Sequence, residues 1–232
     1  MAKTIEKIGV NLCYCTLAVG ERYQHLASVF LETVVRNTDD PCIVVTDSKQ
    51  TINKSDQVVQ VDVGAYKGHP INLKWLPFHH ALKKGFETVC FVDVDSTVNE
   101  NYNRQSIIDV VRDGFGCNWF LTYRENFQSN RRGSLKLRAL ITPEDKYPIH
   151  CPVETFMTLH GDRNRSVAFV NQWSLLQQEI ADRRLFAREV CHEIGLAASR
   201  SNMPIYKYSG GRTAYINNFR HYGGGAKKHM IN

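Results

Sequence analysis

TVCFVDVDSTV (residues 88–98) is an apolar run of strand character that ends on two aspartates, Asp93 and Asp95. Carboxylates two residues apart on an extended chain point to the same side. Held close together they repel, unless a cation sits between them. The same letters allow two chemistries. As Asp-x-Asp the pair could hold a divalent cation against a diphosphate. As Asp-x-Asp-x-Thr it could be a phosphatase loop with Asp93 as nucleophile. The residues on either side have to decide.

Upstream, hydrophobic periodicity predicts a strand over Ile8–Thr16, a turn at Leu17–Gly20, and a helix over Glu21–Asn37. That helix carries Tyr23, Leu26, Ala27, Phe30, Leu31, Val34 and Val35 as an apolar stripe. Cys42–Thr46 and Gln57–Val61 read as strands, Ile71–Gly85 as a helix, and Phe86–Val92 as the strand that presents the aspartates. The order β-α-β-β-α-β implies an α/β fold, with a mixed, mostly parallel sheet flanked by helices. Ligands of such Rossmann-like sheets bind beyond the carboxyl ends of the strands. Asp93, Val94 and Asp95 lie at that edge, and so do Leu17, Ala18, Val19 and Asp47.

Downstream, Ile107–Asp113 reads as a short helix, Cys117–Tyr123 as a strand and Ile149–Leu159 as extended. Ser166–Ala181 and Arg184–Arg200 read as helices, and Ile205–Tyr208 as a last strand before a Gly-rich tail. The polar, basic stretch Arg124–Arg138 has the length of a loop over a site. With no repeat and no low-complexity linker, the expectation is one domain over residues 1–232. Its nucleotide side would be 1–100 and its acceptor side 101–232.

The 232 residues carry a net charge of +6, with Lys and Arg spread along the chain. That balance suits an anionic small molecule and not nucleic acid. Seven cysteines, mostly in strand-like runs, read as buried thiols of a reducing compartment. Cys13-x-Cys15 has no partner pair at zinc-finger spacing. Met1–Lys7 leads straight into a strand, and no apolar run approaches the roughly 20 residues of a membrane span. A cytoplasmic protein with no membrane span is expected.

A haloacid-dehalogenase-type phosphatase would need a hydroxyl, a lysine and a late acidic pair besides Asp93. Thr122 and Lys136 could supply the first two, but TLHGDRNRS offers Asp162 alone. The other reading accounts for residues on both sides. GVNLCYCTLAVGERYQHLASVFLETVVRN, NLKWLPFHHALKKGFETVCFVDVDSTV and CPVETFMTLHGDRNRSVAFVNQW resemble successive parts of the GT-A nucleotide-sugar glycosyltransferases. HYGGGAKK resembles the His-x-x-Gly-x-x-Lys tail of the group containing glycogenin and bacterial galactosyltransferases.

The resemblance implies a UDP-sugar donor, a glycan or other hydroxyl acceptor, and Mn²⁺ or Mg²⁺ held by Asp93, Asp95 and His221. It nominates Leu17, Ala18, Val19, Tyr23 and Lys74 for the nucleotide, and Gly224 and Lys227 for the diphosphate. Hard oxygens with one imidazole suit such ions, and glycines let backbone approach phosphate. The group's Pro-Trp after the lysine is replaced here by Lys228-His229, so Lys228 and His229 are alternatives to Lys227 and His221. For the sugar, Glu193 matches the position where related retaining enzymes carry an acid or amide. Glu154 falls on the acceptor-side strand. A solvated helix carboxylate is the competing account of Glu193. A nucleotidyltransferase would show a Gly-rich loop where TLAVGERYQ has one glycine.

Overall fold

Every residue of β1 (Leu12–Ala18), β2 (Cys42–Thr46) and β4 (Thr88–Val92) is buried, the signature of strands covered on both faces. These strands form the centre of a seven-stranded sheet, ordered β10-β6-β9-β4-β1-β2-β3. The outer strands are β3 (Val58–Asp62), β6 (Gly114–Cys117), β9 (Phe156–His160) and β10 (Ile205–Lys207). All neighbours pair in parallel except β9, which runs antiparallel to β4 and β6. The computed structural model describes residues 11–118, 120–122, 139–145, 149–152, 156–183, 191–208 and 217–222.

The period of two sorts the central strands between two cores. Leu12, Tyr14, Val44, Cys90 and Val92 pack with Leu26, Phe30, Leu31 and Val34 of α1 (Glu21–Asn37). Cys13, Cys15, Ile43, Val45, Val89 and Phe91 face the other way, onto α2 (Trp75–Lys83), α4 (Arg163–Asp182) and α5 (Cys191–Ser201). Phe78 of α2 anchors that second core, its ring between those of Phe91, Phe115 and Trp173. The fold expected from the sequence, a mostly parallel mixed sheet flanked by helices, is the one observed. Among the described residues no helix is long and apolar enough to cross a membrane.

Four expected elements differ. The single helix over Ile71–Gly85 is a 3-10 turn (Pro70–Leu73) followed by α2, with Lys74 at the junction. Pro77 explains the break, because its ring would clash with the carbonyl four residues back, at Leu73, in a continuous helix. The strand expected over Cys117–Tyr123 ends in the main sheet at Cys117. Phe120–Thr122 (β7) instead pairs with His150–Pro152 (β8) in a separate ribbon. The extended stretch Ile149–Leu159 is likewise shared between β8 and β9. Arg104–Val110 (α3), capped by the Asn103 side chain, starts before the predicted Ile107.

Two short strands were not expected. Ser96–Val98 (β5) follows the aspartates, and Phe219–His221 (β11) pairs with it antiparallel.

Among the described residues, five cysteines (13, 15, 42, 90 and 117) are buried free thiols. Burial pushes the Cys13 thiol up to about 12 and Cys15, Cys42 and Cys90 well above their usual value, so these sulfurs stay protonated.

Candidate metal and diphosphate site

The sheet order reverses at β1, which lies between β4 and β2, and the crevice beyond such a reversal is where doubly wound sheets take ligands. Two buried threonines tie the strand ends together there. Thr16 Oγ1 donates to the Val92 carbonyl at 2.7 Å, one residue before Asp93. Thr46 Oγ1 donates to the Ala18 carbonyl at 2.8 Å. The β1–α1 turn is fixed from behind, where Asp47 accepts from Gly20 N–H at 2.8 Å and from Gln24 Nε2 at 2.7 Å. Gly20 itself sits at φ +91°, a conformation that favours glycine.

A pocket of about 330 Å³ opens at this edge. Leu17, Val19 and Tyr23 line it from β1, the turn that follows and α1, His69, Pro70, Ile71 and Lys74 from the 3-10 turn and its flanks, and Asp93, Val94 and Asp95 from the exit of β4. Seven residues expected to bind the nucleotide therefore line one cavity. Ala18 and Asp47 are not among its lining residues: Ala18 is wholly buried, and Asp47 acts as the strut for the turn. Gly224 and Lys227 lie outside the described residues, as do Lys228 and His229. His69, Pro70 and Ile71 escaped the sequence reading, which started a helix at Ile71. His-Pro before an apolar run was the available signal, since Pro favours the first position of a helix.

Beyond Val92 the chain leaves β4, turns at Val94-Asp95 and enters β5. The β5–β11 pairing sets His221 opposite Ser96, and Tyr222 N–H donates to the Asp95 carbonyl at 2.7 Å. Phe219 anchors β11, buried against Tyr14 and Phe156. His221 Nε2 consequently stands 3.1 Å from Asp95 Oδ1. One ligand atom each from Asp93, Asp95 and His221 lies within 4.8 Å of the others, a group that could hold a metal ion. The donor set of two carboxylates and one imidazole suits a hard or borderline divalent cation. Lys74 Nζ meets Asp93 Oδ1 at 3.0 Å and lies 5.2 Å from the centre of the Phe91 ring.

Glu193, nominated for the sugar, is not among the lining residues of this pocket. Glu154 is outside the described residues, as are Lys136 and the loop 124–138. Glu193, in the first turn of α5, is only 2% exposed, and Gln177 of α4 donates to its carboxylate. It is not the solvated helix carboxylate of the competing account. Asp162, the late acid weighed for the phosphatase, caps α4 by accepting from Arg165 N–H at 2.8 Å.

No protein-family model matches the chain, and no curated protein matches it.

Proposed function

We propose that the chain is a metal-dependent glycosyltransferase of the GT-A type, which moves a sugar from a nucleotide-sugar, a UDP-sugar by resemblance, to an acceptor hydroxyl. One observation carries the reading. The Asp-x-Asp pair and a histidine from the far end of the sequence converge within 4.8 Å, and both aspartates line a pocket of about 330 Å³, of nucleotide size. Of the two histidines that the tail resemblance offers, His221 is the one that β11 sets beside Asp95, and His229 lies outside the described residues.

In this reading Leu17, Val19 and Tyr23 hold the nucleoside and Lys74 faces the diphosphate. Asp93, Asp95 and His221 hold Mn²⁺ or Mg²⁺. The ion supplies charge neutralisation for a diphosphate leaving group. The bond between the anomeric carbon and the diphosphate oxygen breaks with its electron pair going to the diphosphate, a bond to the acceptor oxygen forms, and the acceptor proton passes to the departing diphosphate. Glu193 and Glu154 are the acids proposed for the sugar, with retention as the expected outcome. Glu193 is held by Gln177.

Calorimetric titration with UDP, UDP-glucose and UDP-galactose, each with Mn²⁺ and with EDTA, tests the proposal. Binding that requires the metal is expected. Absence of binding, together with Mg²⁺-dependent phosphate release from a generic phosphoester, would return Asp93 to the nucleophile role. Deletion of residues 223–232 should weaken diphosphate binding; full activity after deletion would remove the tail from the site.

A further inference from the structure

The ammonium of Lys74 already sits where positive charge is wanted. It is 3.0 Å from Asp93, with side-chain exposures of 13% and 23% for the two residues. The fold places it there by two independent devices. Lys74 is the residue at which the 3-10 turn ends and α2 begins, a break that Pro77 enforces. Its ammonium also lies 5.2 Å from the ring centre of Phe91, a core side chain 1% exposed and packed on Phe78. The lysine is a wall of the same pocket as both aspartates.

A fixed ammonium beside a carboxylate pair has two consequences of opposite sign. It lowers the attraction of the pair for a dication, because the incoming charge meets a cation in a poorly screened site. It raises the attraction of the pocket for an anionic diphosphate. When both ligands are present the conflict is relieved, since the ammonium can turn from Asp93 to phosphate oxygen. Resting on the function proposed above, we infer that Lys74 is a displaceable counter-cation. It holds Asp93 in the empty site and passes to the diphosphate on loading, so that metal and nucleotide diphosphate bind as a coupled pair. By linkage each ligand then strengthens the other by the same factor.

The test measures binding, not turnover. Mn²⁺ is titrated into the intact protein and followed by loss of the free-ion electron paramagnetic resonance signal, without nucleotide and with saturating UDP, the loss caused by UDP alone being subtracted with a protein-free titration. Wild type should bind Mn²⁺ weakly alone and about tenfold more tightly with UDP. Lys74→Met keeps the apolar stem over Phe91 and removes the charge. It should bind Mn²⁺ alone about tenfold more tightly than wild type, bind UDP less well, and lose most of the coupling. Lys74→Arg should stay near wild type, and circular dichroism with thermal melting checks that both variants fold. Mn²⁺ affinity unchanged or weaker in a folded Lys74→Met, or undiminished coupling, overturns the inference while leaving the glycosyltransferase reading standing. Failure of wild type to bind Mn²⁺ even with UDP overturns both, and that failure is visible before any variant is made.

Discussion

Asp95 and Asp145 have almost equally hidden side chains, 7% and 2% exposed, yet their surroundings are built differently. Asp145 is enclosed by donors that match it. Arg200 Nε and Nη2 reach its two oxygens at 2.8 and 3.2 Å, and Thr142 N–H donates at 2.7 Å. Burial raises its carboxyl, but the hydrogen bonds from Arg200 and Thr142 outweigh that effect and hold it below the usual carboxylate range. Asp95 has a second carboxylate as its neighbour, and the partners of the pair are the Lys74 ammonium and the His221 imidazole. One arrangement fixes a segment to a helix. The other gathers acidic oxygens around a common point, which is what a cation site requires.

Substitutions can break or sharpen this contrast. Asp95→Ala should weaken metal-dependent nucleotide binding by about 100-fold or more, beyond the effect of losing an outer partner of a metal site, and leave the melting temperature nearly unchanged. Donor affinity equal to wild type would remove Asp95 from the site. Asp145→Asn should do the reverse, leaving nucleotide binding intact while costing about 3 kcal/mol in urea unfolding. A cost below about 1 kcal/mol would show that the Arg200 pair is merely superficial.

The depressed carboxyl also fixes a pH signature. The stability from Asp145 is present above the unfolded-state value near ~3.9 and disappears as pH falls through the lower folded value. Wild type should therefore lose more stability than Asp145→Asn between roughly pH 5 and 2, and parallel acid titrations of the two would contradict this. The smallest effect is expected from Asp47→Ala, which removes the acceptor for Gly20 N–H and Gln24. About 1 kcal/mol and a few-fold loss in nucleotide affinity should follow, read by the same calorimetry.

The half of the molecule that presents the pocket was legible because its signals are local. α1 and β2 occupy the spans expected from periodicity alone, and an apolar strand ending in Asp93 announces its own exit point. What sequence could not supply depends on neighbours distant in the chain. β5 and β11 have three residues each, too few for alternation to register, and their pairing is what brings His221 to Asp95. The break at Lys74 was readable in principle, since Pro77 sits where a continuous helix forbids it; the apolar stripe across Ile71–Gly85 masked it. Sequence left Glu193 open between a sugar-side acid and a solvated helix carboxylate, because the partner that meets its carboxylate, Gln177, belongs to another helix.

The short β5–β11 ribbon also bears on how the protein comes to be functional. The central strands can assemble from the first hundred residues or so, pocket and both carboxylates included, before β11 is in place. Joining β11 to β5 closes a loop of about 125 residues, an entropic cost met by two short strands and the burial of Phe219. In the proposed reading the ligand set is completed only when β11 pairs with β5, and a chain that has misplaced β11 lacks His221 beside Asp95 on an otherwise native sheet. Affinity for an ion would then report whether β11 is in place.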